Sequence, residues 1–97
     1  MKRLFISQPM RGKSDEQIRL ERNVAKLEAE ALMEEPVEVI DSFFVGNTMT
    51  PLECLGESLK LMAKADVCYF AAGWREARGC RIEWQCAKEY GIVRIEK

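Results

Sequence analysis

The stretch DVCYFAAG, residues 66 to 73, indicates the fold of this chain more directly than any other segment. Asp66 precedes a continuous apolar run, and Gly73 ends that run after a length typical of a β-strand. A strand without alternating polar residues belongs near the centre of a parallel sheet, where helices cover both faces. The flanking segments should therefore contain further strands that are joined by helices.

The chain before this run begins with a strand and a helix. Residues 2–7 form a short apolar run that breaks at Gln8-Pro9, which predicts a buried strand followed by a loop. Ser14 and Gln17 match a capping box, so the first helix should begin near Asp15. Its apolar residues recur at helical spacing and predict an amphipathic helix: Leu20, Val24, Leu27 and Ala31.

A second strand and a second helix lie between this helix and residue 66. Pro36 ends the first helix, and the β-branched residues of 37–41 predict a strand. Thr50 is an expected N-cap, Pro51 fits the first helical position, and Glu53 completes a capping box. The apolar stripe of this second helix consists of Leu52, Leu55, Leu59 and Met62.

After Gly73 the sequence predicts a third helix over 79–90, a stop at Gly91 and a last strand over 92–95. The order β-α-β-α-β-α-β with short connections implies an α/β fold with right-handed crossovers. We expect a flavodoxin-like, doubly wound parallel sheet of about four strands in the order 2-1-3-4, with helices on both faces. Ligands bind such sheets beside the point where the strand order reverses.

Glu83 lies in an unusual place on the third helix. On a helical projection it falls in the middle of the apolar stripe, which also contains Cys80, Cys86, Ala87 and Tyr90. One explanation is structural, because the helix dipole favours an acid there and the carboxylate can bond to a neighbouring loop or to Arg78. The other explanation is functional, because a carboxylate with apolar neighbours over a ligand crevice has a tunable pKa and suits a nucleophile or a base.

The composition limits the classes of function. The chain has 97 residues, which predicts one domain spanning 1–97. It carries 15 Lys and Arg against 16 Asp and Glu, interspersed, so we expect no nucleic acid and no membrane among its partners. Four cysteines without C-x-x-C spacing, and no histidine, argue against a metal site and fit a reducing compartment. Without a signal-peptide pattern, the chain is predicted to be cytoplasmic.

Two segments, FISQPMRGKSDEQI at 5–18 and ADVCYFAAGWREARGCRIEWQCAKEYGI at 65–92, resemble the nucleoside 2-deoxyribosyltransferase-like family, and especially its small uncharacterised bacterial and phage branch. The resemblance places the glutamate nucleophile of the characterised enzymes at Glu83. It implies cleavage of an N-glycosidic bond, or 2-deoxyribosyl transfer, on a nucleoside or a nucleoside 5′-monophosphate. A non-catalytic nucleotide-binding module of the same fold is the alternative.

The resemblance also implies a substrate site between two loops and no cofactor. The family's sugar or phosphate loop corresponds to Ser7 with Arg11-Gly12, and Trp74 either stacks on the base or covers the core. The basic residues beside Gly12 suit a phosphate or carboxylate cradle, or simply a solvated turn. The predicted substrate-binding residues are Ser7, Gln8, Met10, Arg11, Gly12, Lys13, Gly73, Trp74, Arg78 and Gly79.

The chain departs from the characterised enzymes at two places. They carry a tyrosine on the first strand, where this chain has Leu4-Phe5, and an acid in the helix before the third strand, where this chain has Ser58. Related enzymes complete their sites with residues from a neighbouring subunit, so we expect a homo-oligomer. Self-association would also cover the apolar loop residues Phe43, Phe44 and Val45.

Overall fold

Four strands alternate with three helices in the computed structural model, which describes residues 1–44, 46 and 48–97. A 3-10 turn over Trp74–Glu76 precedes the third helix and was not predicted. The elements are β1 (Lys2–Ser7), α1 (Asp15–Met33), β2 (Val37–Val39), α2 (Pro51–Met62), β3 (Val67–Phe70), α3 (Arg78–Glu89) and β4 (Val93–Glu96).

The strands form one parallel sheet in the order β2-β1-β3-β4. This order confirms the predicted flavodoxin-like arrangement. The end of β1 pairs with the end of β3, with Ser7 opposite Phe70. Since β2 lies on one side of β1 and β3 on the other, the loops that follow β1 and β3 meet at the reversal of strand order.

The sheet has a hydrophobic cluster on each face, as expected for a central parallel strand. All four residues of β3 are buried. The cluster under α1 consists of Leu4, Ile6, Ala25, Ala29, Val37, Val67 and Tyr69. The cluster under α2 and α3 consists of Phe5, Ile40, Met62, Cys68, Phe70, Trp74, Cys80 and Ala87. None of the helices in the described ranges combines the length and the apolar character that crossing a bilayer requires.

Both predicted capping boxes are present. Ser14 and Gln17 exchange hydrogen bonds at the start of α1, with Ser14 Oγ accepting from the Gln17 N–H at 3.1 Å. Thr50 and Glu53 do the same at the start of α2, where Pro51 is the first helical residue. These local interactions need no partner from elsewhere in the fold, which is why the sequence places both helix starts correctly.

The predicted apolar stripe of α1 is wrong as its buried face. Leu20 and Leu27 are 64% and 66% exposed, and the face that packs on the sheet consists of Ile18, Arg22, Ala25 and Ala29. These four residues lie on the opposite side of the helix from the leucines. Alanine permits a close approach between helix and sheet, so the smaller residues pack inward. In α2, Leu52 is likewise exposed, whereas Met62 is buried.

Arg22 holds α1 against the loop that follows β2. Its buried guanidinium donates to Gln8 Oε1 at 3.1 Å, to the Ile40 carbonyl at 3.1 Å and to Ser42 Oγ at 3.2 Å. Burial lowers the pKa of Arg22, and the nearby Asp41 charge opposes that shift. The three acceptors satisfy a buried cation that makes no ion pair within the described residues.

We expect Arg22→Ala to lower the free energy of unfolding by about 2–4 kcal/mol, because it leaves the acceptors on Gln8 and Ile40 buried without a donor. Urea denaturation followed by circular dichroism measures the change. Arg19→Ala is the matched control, since Arg19 is exposed on the same helix and its guanidinium stacks over Phe43, and the loss of stability should stay below about 1 kcal/mol. Equal losses in the two variants would contradict a structural role for the Arg22 network.

Candidate functional site

Glu83 lies in the middle of α3 and its side chain is almost fully buried, with 8% exposed. Its Oε1 accepts a hydrogen bond from Ser7 Oγ at 2.7 Å. Ser7 is the last residue of β1, so this bond joins the carboxyl end of a central strand to the helix that packs over it. The partner of Glu83 is therefore the end of β1, rather than a neighbouring loop or Arg78, and Glu83 makes no ion pair in the described part of the chain.

Burial raises the pKa of Glu83 from 4.5 to about 7, because the charged carboxylate loses contact with water. Hydrogen bonds from the Ser7 and Ser58 hydroxyls favour the charged form and partly offset this effect. The group therefore titrates near neutral pH. Ser58, on α2, therefore supplies a second hydroxyl to the carboxylate.

Two buried cysteines lie near Glu83. Burial, with the Glu83 charge as a second cause, raises the pKa of Cys68 to about 12. Burial and the same charge raise the pKa of Cys80, although the Ser7 hydroxyl opposes the shift. Both thiols stay protonated at neutral pH, so neither suits a thiolate nucleophile.

A cleft of about 600 Å³ opens where the loops after β1 and β3 meet. Gly73 has a φ of +87°, and a Cβ placed there would lie 3.5 Å from Pro9 Cγ, so glycine suits both the backbone and the close approach of the two loops. The lining residues come from both loops and from the starts of α2 and α3: Pro9, Met10, Arg11, Pro51, Gly73, Glu76, Ala77, Arg78, Gly79 and Arg81.

The charges around this cleft favour an anion. Three arginines line it, Arg11, Arg78 and Arg81, against a single lining carboxylate in the described residues, that of Glu76. The Arg81 guanidinium is held in place by a bond to the Arg75 carbonyl at 3.0 Å. The N-cap residue of α3 is Ala77, which has no side chain to cap the helix, so the positive end of the helix dipole faces the same cleft.

The structure brings together about half of the predicted binding residues. Met10, Arg11, Gly73, Arg78 and Gly79 line the cleft. Ser7 is not among the described lining residues and donates a hydrogen bond to Glu83.

The other predicted residues lie elsewhere. Gln8 is buried between Arg22 and Glu21, and the Lys13 ammonium is bound to Glu21 at 2.9 Å, in a neighbouring depression. Gly12 forms an exposed turn with a φ of +78°.

Trp74 belongs to the core. Its side chain is 5% exposed, and its ring stacks on Trp84 with centroids 5.5 Å apart and planes 18° from parallel. The Arg75 guanidinium lies 4.5 Å above the Trp74 ring. Of the two roles considered for Trp74, the arrangement favours covering the core over stacking on a ligand.

Several residues of the site were not predicted. On the helical projection the Arg81 side chain points away from Glu83. It nevertheless lines the cleft, because it is long and belongs to the first turn of α3. Pro51 reaches the cleft through the packing of α2, and Glu76 reaches it through the 3-10 turn. Neither arrangement leaves a local signal in the sequence. The loop residues Phe43 and Phe44 are half-buried and Val45 lies outside the described residues, so self-association stays a prediction.

The raised pKa of Glu83 makes stability depend on pH in a defined direction. Between pH 4.5 and about 7 the folded protein keeps a proton that the unfolded chain has released. The stability contributed by this group is therefore fully present below about pH 4.5 and is lost as the pH rises to about 7, by about 3 kcal/mol in all.

Glu83→Gln removes this ionisation and keeps an acceptor for Ser7. We expect the variant to be more stable than the native protein by up to about 3 kcal/mol above pH 7, with the difference vanishing near pH 4.5. Urea denaturation of both proteins across this pH range measures it. A difference that does not change with pH would mean that Glu83 titrates at its ordinary pKa.

Comparison with known proteins gives a family but no activity. The sequence has no significant match among curated proteins or among solved structures. Residues 2–95 match the model of a family described as "Domain of unknown function (DUF4406)", and because the match covers nearly the whole chain, the protein belongs to this family.

Proposed function

We propose that this protein cleaves the N-glycosidic bond of a 2-deoxynucleoside or of its 5′-monophosphate, with Glu83 as the nucleophile. The observation that carries the proposal is a buried carboxylate that is bonded to Ser7 at the end of β1 and lies on a helix whose first turn lines an arginine-rich cleft. A carboxylate pKa can also be shifted by a purely structural ion-pair network. Among the described residues Glu83 has hydroxyl partners and no cation, so such a network does not account for its pKa. The resemblance to deoxyribosyltransferase-like enzymes supports the same assignment.

The reaction begins when a Glu83 carboxylate oxygen attacks the anomeric carbon of the sugar. The bond from that carbon to the base nitrogen breaks, and the base leaves with the electron pair and takes a proton from solvent in the open cleft. A glycosyl ester of Glu83 results, and water or a second base then attacks the anomeric carbon and regenerates the carboxylate. Positive charge develops on the sugar in the transition state, and an anion with buried, apolar neighbours stabilises it more strongly than the same anion in water.

The arginines support a substrate with a phosphate. Arg11, Arg78 and Arg81 reach the cleft from two different elements, and guanidinium groups bind phosphate oxygens in pairs of parallel hydrogen bonds. The uncapped start of α3 adds backbone N–H groups to the same surface. A nucleoside 5′-monophosphate should therefore bind more tightly than the corresponding nucleoside.

A panel of 2-deoxynucleosides and their 5′-monophosphates tests the proposal, with free base measured by chromatography. We expect base release by the native protein and a loss of about 10³-fold or more in Glu83→Gln, because the nucleophile is gone. Glu89→Gln is the matched control: Glu89 lies exposed on the same helix and bonds only to Gln85 among the described contacts, so its rate should be unchanged.

The panel also tests the alternative, a non-catalytic nucleotide-binding module. Two observations favour that alternative: Glu83 is not among the described residues that line the cleft, and Ser58 replaces the acid of characterised enzymes. It predicts saturable binding, measured by calorimetry, without release of base. Base release that survives in Glu83→Gln would remove this residue from the mechanism.

The pH dependence of base release gives a second test. The nucleophile must be ionised, so the rate should rise with pH around 7. Ser7→Ala removes a hydrogen bond that favours the carboxylate, which raises the pKa of Glu83 further and moves this rise to higher pH. The pH profile of kcat measures the shift. Ser14→Ala, which removes the α1 cap away from the cleft, should leave the profile in place, and an unshifted profile in Ser7→Ala would contradict the assignment to Glu83.

A further inference from the structure

Gly79 is a glycine that the fold itself does not require. It is the second residue of α3, and a Cβ built on it meets no heavy atom within 4 Å. Its φ lies outside the left-handed region, so a residue with a side chain fits the backbone without strain. Glycine is also less favourable than alanine within a helix. Packing and backbone conformation therefore leave this glycine unexplained.

The place of Gly79 relative to Glu83 explains it. Gly79 lines the cleft, and Glu83 follows four residues later on the same face of α3. Side chains on a helix tilt toward its N-terminus, so the Glu83 carboxylate leans over the turn that contains Gly79. Position 79 therefore lines the cleft on the face of α3 that carries Glu83, one turn nearer the start of the helix.

We propose that the missing side chain of Gly79 forms the passage through which the substrate sugar reaches Glu83, and that the size of residue 79 limits what the site admits. The identity of the sugar rests on the function proposed above. The passage itself rests only on the open space at Gly79, on its place in the lining of the cleft and on its position one helical turn before Glu83. It also explains how a carboxylate that is 8% exposed can react with a molecule bound in the cleft.

Chemical labelling tests the passage without any substrate. A water-soluble carbodiimide with a small amine converts accessible carboxyl groups into amides, and mass spectrometry of peptides reports the rate at Glu83. We expect Glu83 to be labelled in the native protein and to be labelled about 10-fold more slowly in Gly79→Val, with Gly79→Ala in between. Gly56→Val is the matched control, since Gly56 also lies within a helix, with open space around its Cβ, and its variant should keep the native labelling rate at Glu83.

Two outcomes would overturn the passage. One is an equal labelling rate in the native protein and in Gly79→Val; the other is a native Glu83 that stays unlabelled while exposed glutamates react. Circular dichroism and thermal melting check that the variants are folded. If the valine variant does not fold, Gly79→Ala decides the question, because alanine favours the helix and meets no atom at this position.

Turnover separates this inference from the proposed function. If the native protein releases base, kcat/KM should fall about 10-fold or more in Gly79→Val and stay native in Gly56→Val. Base release that is undiminished in Gly79→Val would overturn the inference and leave Glu83 chemistry standing. If the native protein releases no base, the function fails, and the labelling rates still decide whether Gly79 gives access to Glu83.

Discussion

The hydrogen bond from Ser7 to Glu83 is the contact on which the arrangement of this protein's site depends. It exists because β1 and β3 are parallel neighbours and α3, which follows β3, packs over the end of β1. The same pairing brings the loops after the two strands to one edge of the sheet and creates the cleft.

The order of elements could be predicted from the sequence because each signal is local or depends on one simple pattern. Two helix starts are specified by the capping boxes at Ser14 and Thr50, the second with Pro51 as its first residue. The burial of β3 is specified by its unbroken apolar run. The buried face of α1 could not be predicted in the same way. Leucines on one side and alanines on the other both recur at helical spacing, and only the sheet determines which side packs inward.

The location of the candidate site could be predicted from the sequence, because it follows from the order of the strands in the sheet. Glu83 stood out because an acid in an apolar stripe contradicts the local pattern, and such contradictions occur at functional sites. Lys13 and Trp74, which do not line the cleft, have side chains whose partners come from other elements: Glu21 for the first and Trp84 for the second. A loop sequence gives the charge and the aromatic character of these groups but not the direction in which they point.

The two buried charged side chains Arg22 and Glu83 differ in what they contribute to the fold. Arg22 donates hydrogen bonds to three acceptors and thereby holds α1 in place. Burial raises the pKa of Glu83 to about 7, and its hydroxyl donors offset that shift only in part, so its ionisation lowers the stability of the fold. A glutamine there would accept the same bond from Ser7 without this cost. The carboxylate is therefore the poorer choice for stability, whereas the proposed reaction requires it, because a glutamine cannot act as the nucleophile.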